Sequence, residues 1–505
     1  MFGKALTFTR MGLNCDMVEA EVDIKNGLPA IFMAGLLSQE VKESKERIRP
    51  AIQNSGFEFP VKKITINLSP AEISKTGTHY DLSIAMAILS ATGVIDSTDG
   101  CIFFGELNLS GEIKWVRGIF PMVIEALKKG YNKIFIPYDN LSEVEFINLD
   151  KIIPVKTLNE TADIIINNNY DTSHITTARS KMLASRKVGN YSDIMEQRHL
   201  IDAFTIAASG GHHMIIVGPP GSGKTMAASR LPSIMPDLTN EEFMEINKIY
   251  SVAAENLNGS INKIRPFRNP HNSASSRAVI GGGAKILPGE VSLAHKGVLF
   301  LDEFLEFHSD SLQSLRTIIE NKEVYISLRN GCAIYPADFL LVAACNPCAC
   351  GFYGTKSGTC ICTKNEIKKY RKKLNNPLVD RIDLQVKVDR LNYQELINGE
   401  KNVTSESIKA KVIKCYDIQQ KRYCNEKFKL NPAITPDKIS QYCIMEKGGN
   451  KTLEKFMEDN LLTARSCHKI LKISRTIADL RGNEIISVND INKAVSLRFL
   501  DTEVV

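Results

Sequence analysis

The residues Gly218-Pro219-Pro220-Gly221-Ser222-Gly223-Lys224-Thr225 constrain this chain more than any others. They spell G-x-x-x-x-G-K-T. The apolar run Met214-Ile215-Ile216-Val217 precedes them, and a helical pattern, Met226 to Leu231, follows. A strand, a glycine-rich turn and a helix in that order make a P-loop and place this part of the chain in the α/β class. The glycines let backbone N–H groups close around phosphates, and the helix N-terminus adds a favourable dipole. Lys224 is expected to reach the β- and γ-phosphates of ATP, and the Thr225 hydroxyl to hold Mg²⁺.

Two further apolar strands carry chemistry at their ends. Gly297-Val298-Leu299-Phe300-Leu301 runs into Asp302-Glu303. Asp302 is expected to polarise the Mg²⁺ shell, and Glu303 to orient and deprotonate the attacking water. Phe339 to Ala344 runs into Cys345-Asn346-Pro347. A polar side chain at that tip would sit beside the γ-phosphate, which makes Asn346 the candidate; an Asx turn before Pro347 is compatible with that role. Between these strands, Glu323 to Leu328 and Cys332 to Tyr335 flank Asn330-Gly331 and read as a hairpin.

Two C-x-C pairs, Cys348/Cys350 and Cys360/Cys362, bracket a glycine-containing loop. Four thiolates suffice for a closed tetrahedral Zn²⁺ site, although C-x-C is tighter than the usual C-x₂₋₄-C. Free thiols or a redox switch are the alternatives. Lys364, Lys368, Lys369, Arg371, Lys372 and Lys373 follow, interleaved with Tyr370. They read equally as a phosphate-binding face or as a solvated basic helix.

Length and composition set the frame. A chain of 505 residues suggests about three domains. A hydrophobic fraction of 43% and a charged fraction of 24% are those of a globular protein. The net charge of +6 permits nucleic acid as a partner without arguing for it. No apolar run approaches the ~18 residues of a membrane span, and Met1 to Cys15 carry no export pattern. Twelve cysteines without such a signal suggest reduced thiols, some bound to metal. The expected location is the cytoplasm, with no membrane partner.

Residues 1–160 read as a mixed domain. Glu19 to Ile24 and Lys63 to Leu68 alternate as strands, Gln39 to Ser55 and Asp81 to Ala91 space as helices, and Cys101 to Leu107 is strand-like. Leu109 to Ile113 reads as a tight hairpin, Pro121 to Lys129 as a helix and Lys133 to Pro137 as a last strand. Residues 161–190, with Asn167-Asn168-Asn169, read as a linker. Residues 191–390 form the ATPase core with a candidate zinc insert at 345–363, and 391–505 read as helical, notably the amphipathic run Leu461 to Leu480.

Nearly the whole chain resembles the YifB/ComM group of magnesium-chelatase-like AAA+ ATPases. The opening domain is similar to the Lon-protease-like, ribosomal-S5-type α+β domain through Asn26 to Ala30, Val41 to Ser44, Asn54 to Pro60 and Phe104 to Leu107. Phe267-Arg268-Asn269-Pro270-His271, Gly281-Gly282-Gly283 and Pro288 to His295 are the most specific matches in the core. Asn272 stands where the family often has a second histidine, which weakens a metal or proton-transfer role there. The Ala278 to Gly283 stretch resembles a helix-2 insert, and the Glu323 to Tyr335 hairpin a pre-sensor-1 hairpin that can project into a ring pore and touch DNA; a plain surface hairpin is the other reading.

The resemblance implies further roles. Asn346 matches sensor 1. Asn376 to Asp383 matches the segment whose arginine reaches a neighbouring subunit's nucleotide, so Arg381 becomes the finger; an intrachain pair with Asp380 or Asp383 is the alternative. The C-terminus matches the chelatase-type helical lid, with Arg465 as sensor 2 on the γ-phosphate; a solvated helix start is the alternative. A hexameric ring that drives DNA branch migration is implied, with branched or single-stranded DNA as partner. A chelatase-type remodelling subunit and an ATP-dependent peptidase are the competing functions. The Lon serine and lysine positions fall on Asp81 and Phe120, which cannot supply that chemistry; Ser83 and Ser69 are off-register.

Overall fold

The computed structural model describes the chain except residues 148, 169–188, 195–196, 256–263, 284, 329–330, 356–358, 375–376, 391–402, 461 and 502–505. Two sheets organise it. The first has the order β3-β4-β2-β1-β5-β8-β9. Its strands are β1 (Phe2–Met11), β2 (Asn14–Lys25), β3 (Ala30–Ala34), β4 (Lys63–Ser69), β5 (Cys101–Phe103), β8 (Lys133–Pro137) and β9 (Ile152–Val155). β1, β2 and β4 pair antiparallel, while β3 joins β4, and β5, β8 and β9 join onward from β1, in parallel. Helices α1 (Ser44–Asn54), α2 (Asp81–Ala91) and α3 (Ile119–Lys128) accompany it. α2 is apolar all round and buried along almost its whole length, as its sequence Asp-Leu-Ser-Ile-Ala-Met-Ala-Ile-Leu-Ser-Ala requires.

Several expectations change here. The strand-like run Cys101 to Leu107 is two strands: β5 joins the main sheet, and β6 (Glu106–Leu107) leaves it to pair with β7 (Ile113–Lys114). Lys133–Pro137 is not the last strand, because β9 adds beyond it. The linker does not begin at 161. Helix α4 (Leu158–Ile166), capped by the Thr157 hydroxyl, buries Leu158 and Ala162 against the first core. Asn169 and most of the expected linker lie outside the described residues.

The second sheet, β11-β14-β17-β10-β18, is parallel throughout. It comprises β10 (Met214–Val217), β11 (Phe267–Arg268), β14 (Val298–Leu301), β17 (Leu340–Cys345) and β18 (Leu384–Lys387). Its central strands are buried on both faces, which is why they read as unbroken apolar runs. Helices α5 (Arg198–Gly210), α6 (Lys224–Ala228), α7 (Asn240–Ala253) and α8 (Ser309–Asn321) flank it, with the small ribbon β12 (Gly281–Gly282)/β13 (Leu287–Pro288) between. The hairpin is β15 (Glu323–Leu328) and β16 (Gly331–Pro336). Leu328 pairs with Gly331, so Gly331 belongs to the strand and not to the turn; Arg329 and Asn330 lie outside the described residues.

The helical remainder contains α9 (Lys364–Lys372), then α10 (Ser405–Arg422), α11 (Gly449–Asp459), α12 (Ala464–Arg481) and α13 (Val488–Ser496). α12 starts three residues later than its apolar spacing suggests, because the Thr463 hydroxyl caps it by accepting from Ser466 N–H. Among the described residues no helix is long and apolar enough to cross a membrane. The architecture is the α/β layout read from the sequence: a Lon-like N-terminal region, a P-loop core and a C-terminal helical region.

The N-terminal region meets α7 of the core around one hydroxyl. Ser251 Oγ donates to Glu143 at 2.6 Å and accepts from the Phe120 N–H at 3.2 Å, while its carbonyl takes the Gly118 N–H. Burial raises the Glu143 carboxyl, and Trp115 and Asn140 donate to the same group. Phe146 meets Phe243 edge-on at 4.7 Å. We expect Ser251→Ala to strip a buried carboxylate of its closest donor. It should cost about 1–3 kcal/mol, read as a lower urea midpoint and faster proteolytic separation of the two sheets; an unchanged midpoint would show that the joint does not depend on this hydroxyl.

Candidate functional site

The P-loop leaves β10 at its carboxyl end, where a parallel sheet opens a crevice. Gly223 takes φ +76° at the start of α6, a conformation that a side chain would strain. Lys224 is buried, and its ammonium donates to the carbonyls of Gly218 and Pro219 at 2.7 and 2.9 Å. Burial lowers its pKa. Ser222 Oγ donates back to Pro219 O at 2.8 Å, and Gly218 N–H bonds to Cys345 O, tying the loop to the neighbouring strand.

Thr225 Oγ1 donates to Asp302 Oδ2 at 2.7 Å. Two side chains 77 residues apart are therefore in contact, at the ends of β10 and β14 with only β17 between the strands. A hydroxyl and a carboxylate so placed suit a hard cation that keeps several waters, as Mg²⁺ does. Glu303 comes next, with φ +50°. That left-handed turn sets its carboxylate apart from Asp302 on the same exposed edge.

Asn272 Nδ2 donates to Glu303 Oε2 in a short hydrogen bond. Sequence reasoning treated Asn272 only as a missing histidine. Its position four residues beyond β11, which pairs with β14, is what brings it to Glu303. Gln197 is a second residue without a role in the sequence: its amide donates to Ser222 O at 2.6 Å, bracing the P-loop, and its buried Oε1 has no partner among the described residues.

Asn346 follows directly on β17, beside the P-loop. Tyr370 on α9 lies near the Asn346 backbone, and partial burial raises its pKa. The cysteine loop closes against the same place. Gly351 has φ +87°, and a Cβ there would come within 2.6 Å of Pro220 Cδ. The sulphurs of Cys348 and Cys350 are 3.4 Å apart, Cys348 and Cys360 3.8 Å, and Cys350 and Cys360 3.6 Å. Cys362 completes a set whose ligand atoms all lie within 4.8 Å of one another. α9 has no buried residue; Arg371 lies over the Tyr353 ring, and Lys373 reaches Glu306 at 3.1 Å.

Arg381 and Arg465 are elsewhere. Arg381 forms an ion pair with Glu320 on α8 at 2.7 Å, not with Asp380 or Asp383. It lines a cleft of about 760 Å³ with His213, Arg265, Lys296, Lys322 and Lys427. Those residues neighbour the amino ends of the core strands, so the cleft lies across the sheet from this chain's own P-loop. Arg465 is exposed on the first turn of α12. One turn on, Lys469 donates to the carbonyls of Asp380 and Ile382, just before β18. Burial lowers its pKa to about 8, opposed by Asp383. Further along, Thr476 accepts from or donates to His212 at 2.8 Å, just before β10. α12 thus runs along the amino ends of the strands, and the helical region backs the core instead of covering its P-loop.

The Lon positions hold no nucleophile. Asp81 is buried in an ion pair with Arg47 at 2.7 Å, and burial nonetheless raises its carboxyl to about 6. Phe120 is fully buried, and the buried Ser83 donates to Tyr80 O.

Sequence comparison meets this geometry along almost the whole chain. Profiles of magnesium chelatase subunit ChlI match residues 20–140 and 190–396, and that of its C-terminal region matches 402–498. The chain belongs to the magnesium-chelatase-like AAA+ family of YifB and ComM proteins. It is 36% identical to competence protein ComM of Haemophilus influenzae, over 98% of this chain and 97% of that protein. It is 38% identical to YifB of Escherichia coli, over 98% and 96% of the two. A shorter match, 30% over 157 residues, joins it to Lon protease of an aster yellows phytoplasma, covering 29% of this chain and 20% of that one.

For this magnesium-chelatase-like site, Asn272 touches Glu303 and not the P-loop. Asn272→Ala should therefore lower kcat for ATP by about ten- to a hundredfold, through loss of carboxylate orientation, with KM within about twofold. A rise in KM with kcat intact would place Asn272 in nucleotide binding instead.

Proposed function

We propose that this chain is a Mg²⁺-dependent ATPase of a ring motor that moves on DNA, promoting branch migration in recombination or natural transformation. The Thr225–Asp302 contact with Glu303 beside it carries the ATPase reading. In it, Lys224 neutralises the β- and γ-phosphates, Thr225 and Asp302 hold Mg²⁺, Glu303 activates water and Asn346 senses the γ-phosphate. Gly218, Pro219, Pro220, Gly221, Ser222 and Gly223 supply the cradle. Zn²⁺ is the structural ion of Cys348, Cys350, Cys360 and Cys362.

The same geometry supports a ring. Arg381 and Arg465 lie at the end of the sheet away from this chain's P-loop, so both serve the nucleotide of a neighbouring copy, in a ring we take as hexameric. The division 1–160 as docking domain, 191–390 as core and 391–505 as a helical lid over a neighbouring copy's nucleotide belongs to this reading, as does a cytoplasmic location. DNA as cargo rests on the likeness to a competence protein and on the hairpin, whose outer face exposes Tyr325 and Ile334. That hairpin is not free-standing: Met11 of the first sheet lies against Gly331.

Forked DNA should bind, weaken steeply with salt and stimulate ATP hydrolysis. Glu303→Gln should lose about 10²–10⁴-fold in hydrolysis with ATP binding retained. If branched and single-stranded DNA neither bind nor stimulate, the DNA motor is wrong and a chelatase-type remodelling role on a protein partner takes its place. Arg381 has its own test. Mixing inactive Glu303→Gln with inactive Arg381→Ala should restore about a quarter of wild-type turnover, since one random interface in four pairs intact groups; no recovery would return Arg381 to an intrachain role.

A further inference from the structure

The cysteine loop shares atoms' contact with the ATP site along two routes. Its first arm, with Cys348 and Cys350, continues β17 directly past Asn346. Gly351 of that arm rests on Pro220 of the P-loop. Its second arm, with Cys360 and Cys362, leads through the Thr363 cap into α9. Tyr370 of α9 packs against the core cluster that contains Cys345, and Lys373, just past the helix, reaches Glu306 and Leu305 O beyond Glu303.

The arms have little else to hold them together. Among the described residues of the loop only Pro347, Cys348 and Gly351 are buried, and Ile361 is 84% exposed. A loop of this length with almost no apolar core needs a staple. The sulphur separations of 3.4, 3.6 and 3.8 Å match the edge of about 3.8 Å that a tetrahedron of Zn–S bonds near 2.3 Å would have. Backbone N–H groups already aim at the sulphurs: Cys350 N–H at Cys362 Sγ, 3.4 Å, and Tyr353 N–H at Cys348 Sγ, 3.3 Å.

We propose that Zn²⁺ bound by these four thiolates is a positioning element of the nucleotide site: the ion clamps the arm that carries Asn346 and Gly351 to the arm that carries α9, and so holds the P-loop and the sensor residue in register. This rests on the ATPase reading above. Binding exchanges four thiol protons, released to solvent, for one Zn²⁺, with no change of oxidation state. Metal occupancy then sets ATP affinity although no cysteine touches the nucleotide.

The full chain, purified without chelator, should contain about one zinc ion per copy. A mercurial reagent plus chelator should release it and weaken binding of a fluorescent ATP analogue by about tenfold or more. Zn²⁺ should restore binding, and Mg²⁺ alone should not. Gly351→Ala should keep its zinc yet weaken ATP comparably, because its side chain would strike Pro220; Ile361→Ala should change neither. Holoprotein without zinc, or with these cysteines in disulfides, overturns the site. Zinc present but ATP binding within twofold after its removal, and intact in Gly351→Ala, overturns the coupling and leaves the ion merely structural. Zinc-loaded protein that binds ATP without hydrolysing it would instead defeat the ATPase reading. The absorption of the Co²⁺-substituted wild type should report the tetrathiolate directly, and a spectrum without thiolate-to-Co²⁺ bands overturns the site.

Discussion

The hydrogen bond between Thr225 and Asp302 depends on the whole second sheet, and everything proposed for the site depends on that bond. Its partners hang from two strands that are not neighbours. They meet because β10, β17 and β14 run parallel in a fixed register: Val217 lies beside Cys345, while Leu301 lies beside Ala343, so β14 ends two residues earlier than its neighbours. A one-residue slip would exchange the two buried faces of a strand and break the fit of its side chains against the elements packed on either side, so close packing protects the register. The same carboxyl edge receives Asn346 from β17 and, from β11, the chain that brings Asn272 to Glu303. Stability of the core and placement of the chemistry are here one requirement.

How much of this was legible in the sequence follows from how local each signal is. The P-loop, the Asp302-Glu303 pair and Asn346 each sit at the end of a run of apolar residues, and their positions can be read without knowing what lies alongside. β1 is harder. Thr7 and Thr9 are buried within it, so the alternation that marks a half-buried strand is hidden. β9 is four residues long and includes Pro154, which suits its place at the sheet edge and hides it from pattern reading.

Long-range partners were not legible at all. Nothing near Arg381 announces Glu320, and nothing near Asn272 announces Glu303. The side of the core on which the helical region packs is set by a buried polar network: His212 bonds to both Asp383 and Thr476, Asn431 bonds to Thr476 and Asp479, and Arg422 grips Asp479 at 2.7 and 2.6 Å. Each residue alone looks like an ordinary polar position. Together they leave few unpaired groups, and a partly satisfied version of such a network would cost more than an apolar contact.

The joint at Ser251 has a mechanical meaning. Its hydroxyl gives one hydrogen bond and takes another, and its carbonyl takes a third, so α7 and the first sheet share a fastening with no slack. A helix fastened this way cannot shift by itself. Strands spaced about 4.8 Å apart put the outermost, β3, roughly 30 Å from the β9 edge. Met11 against Gly331 of the hairpin and the Glu40–Lys285 ion pair hold that span at further points, so a displacement of α7 has to be shared by the hairpin and the whole first sheet.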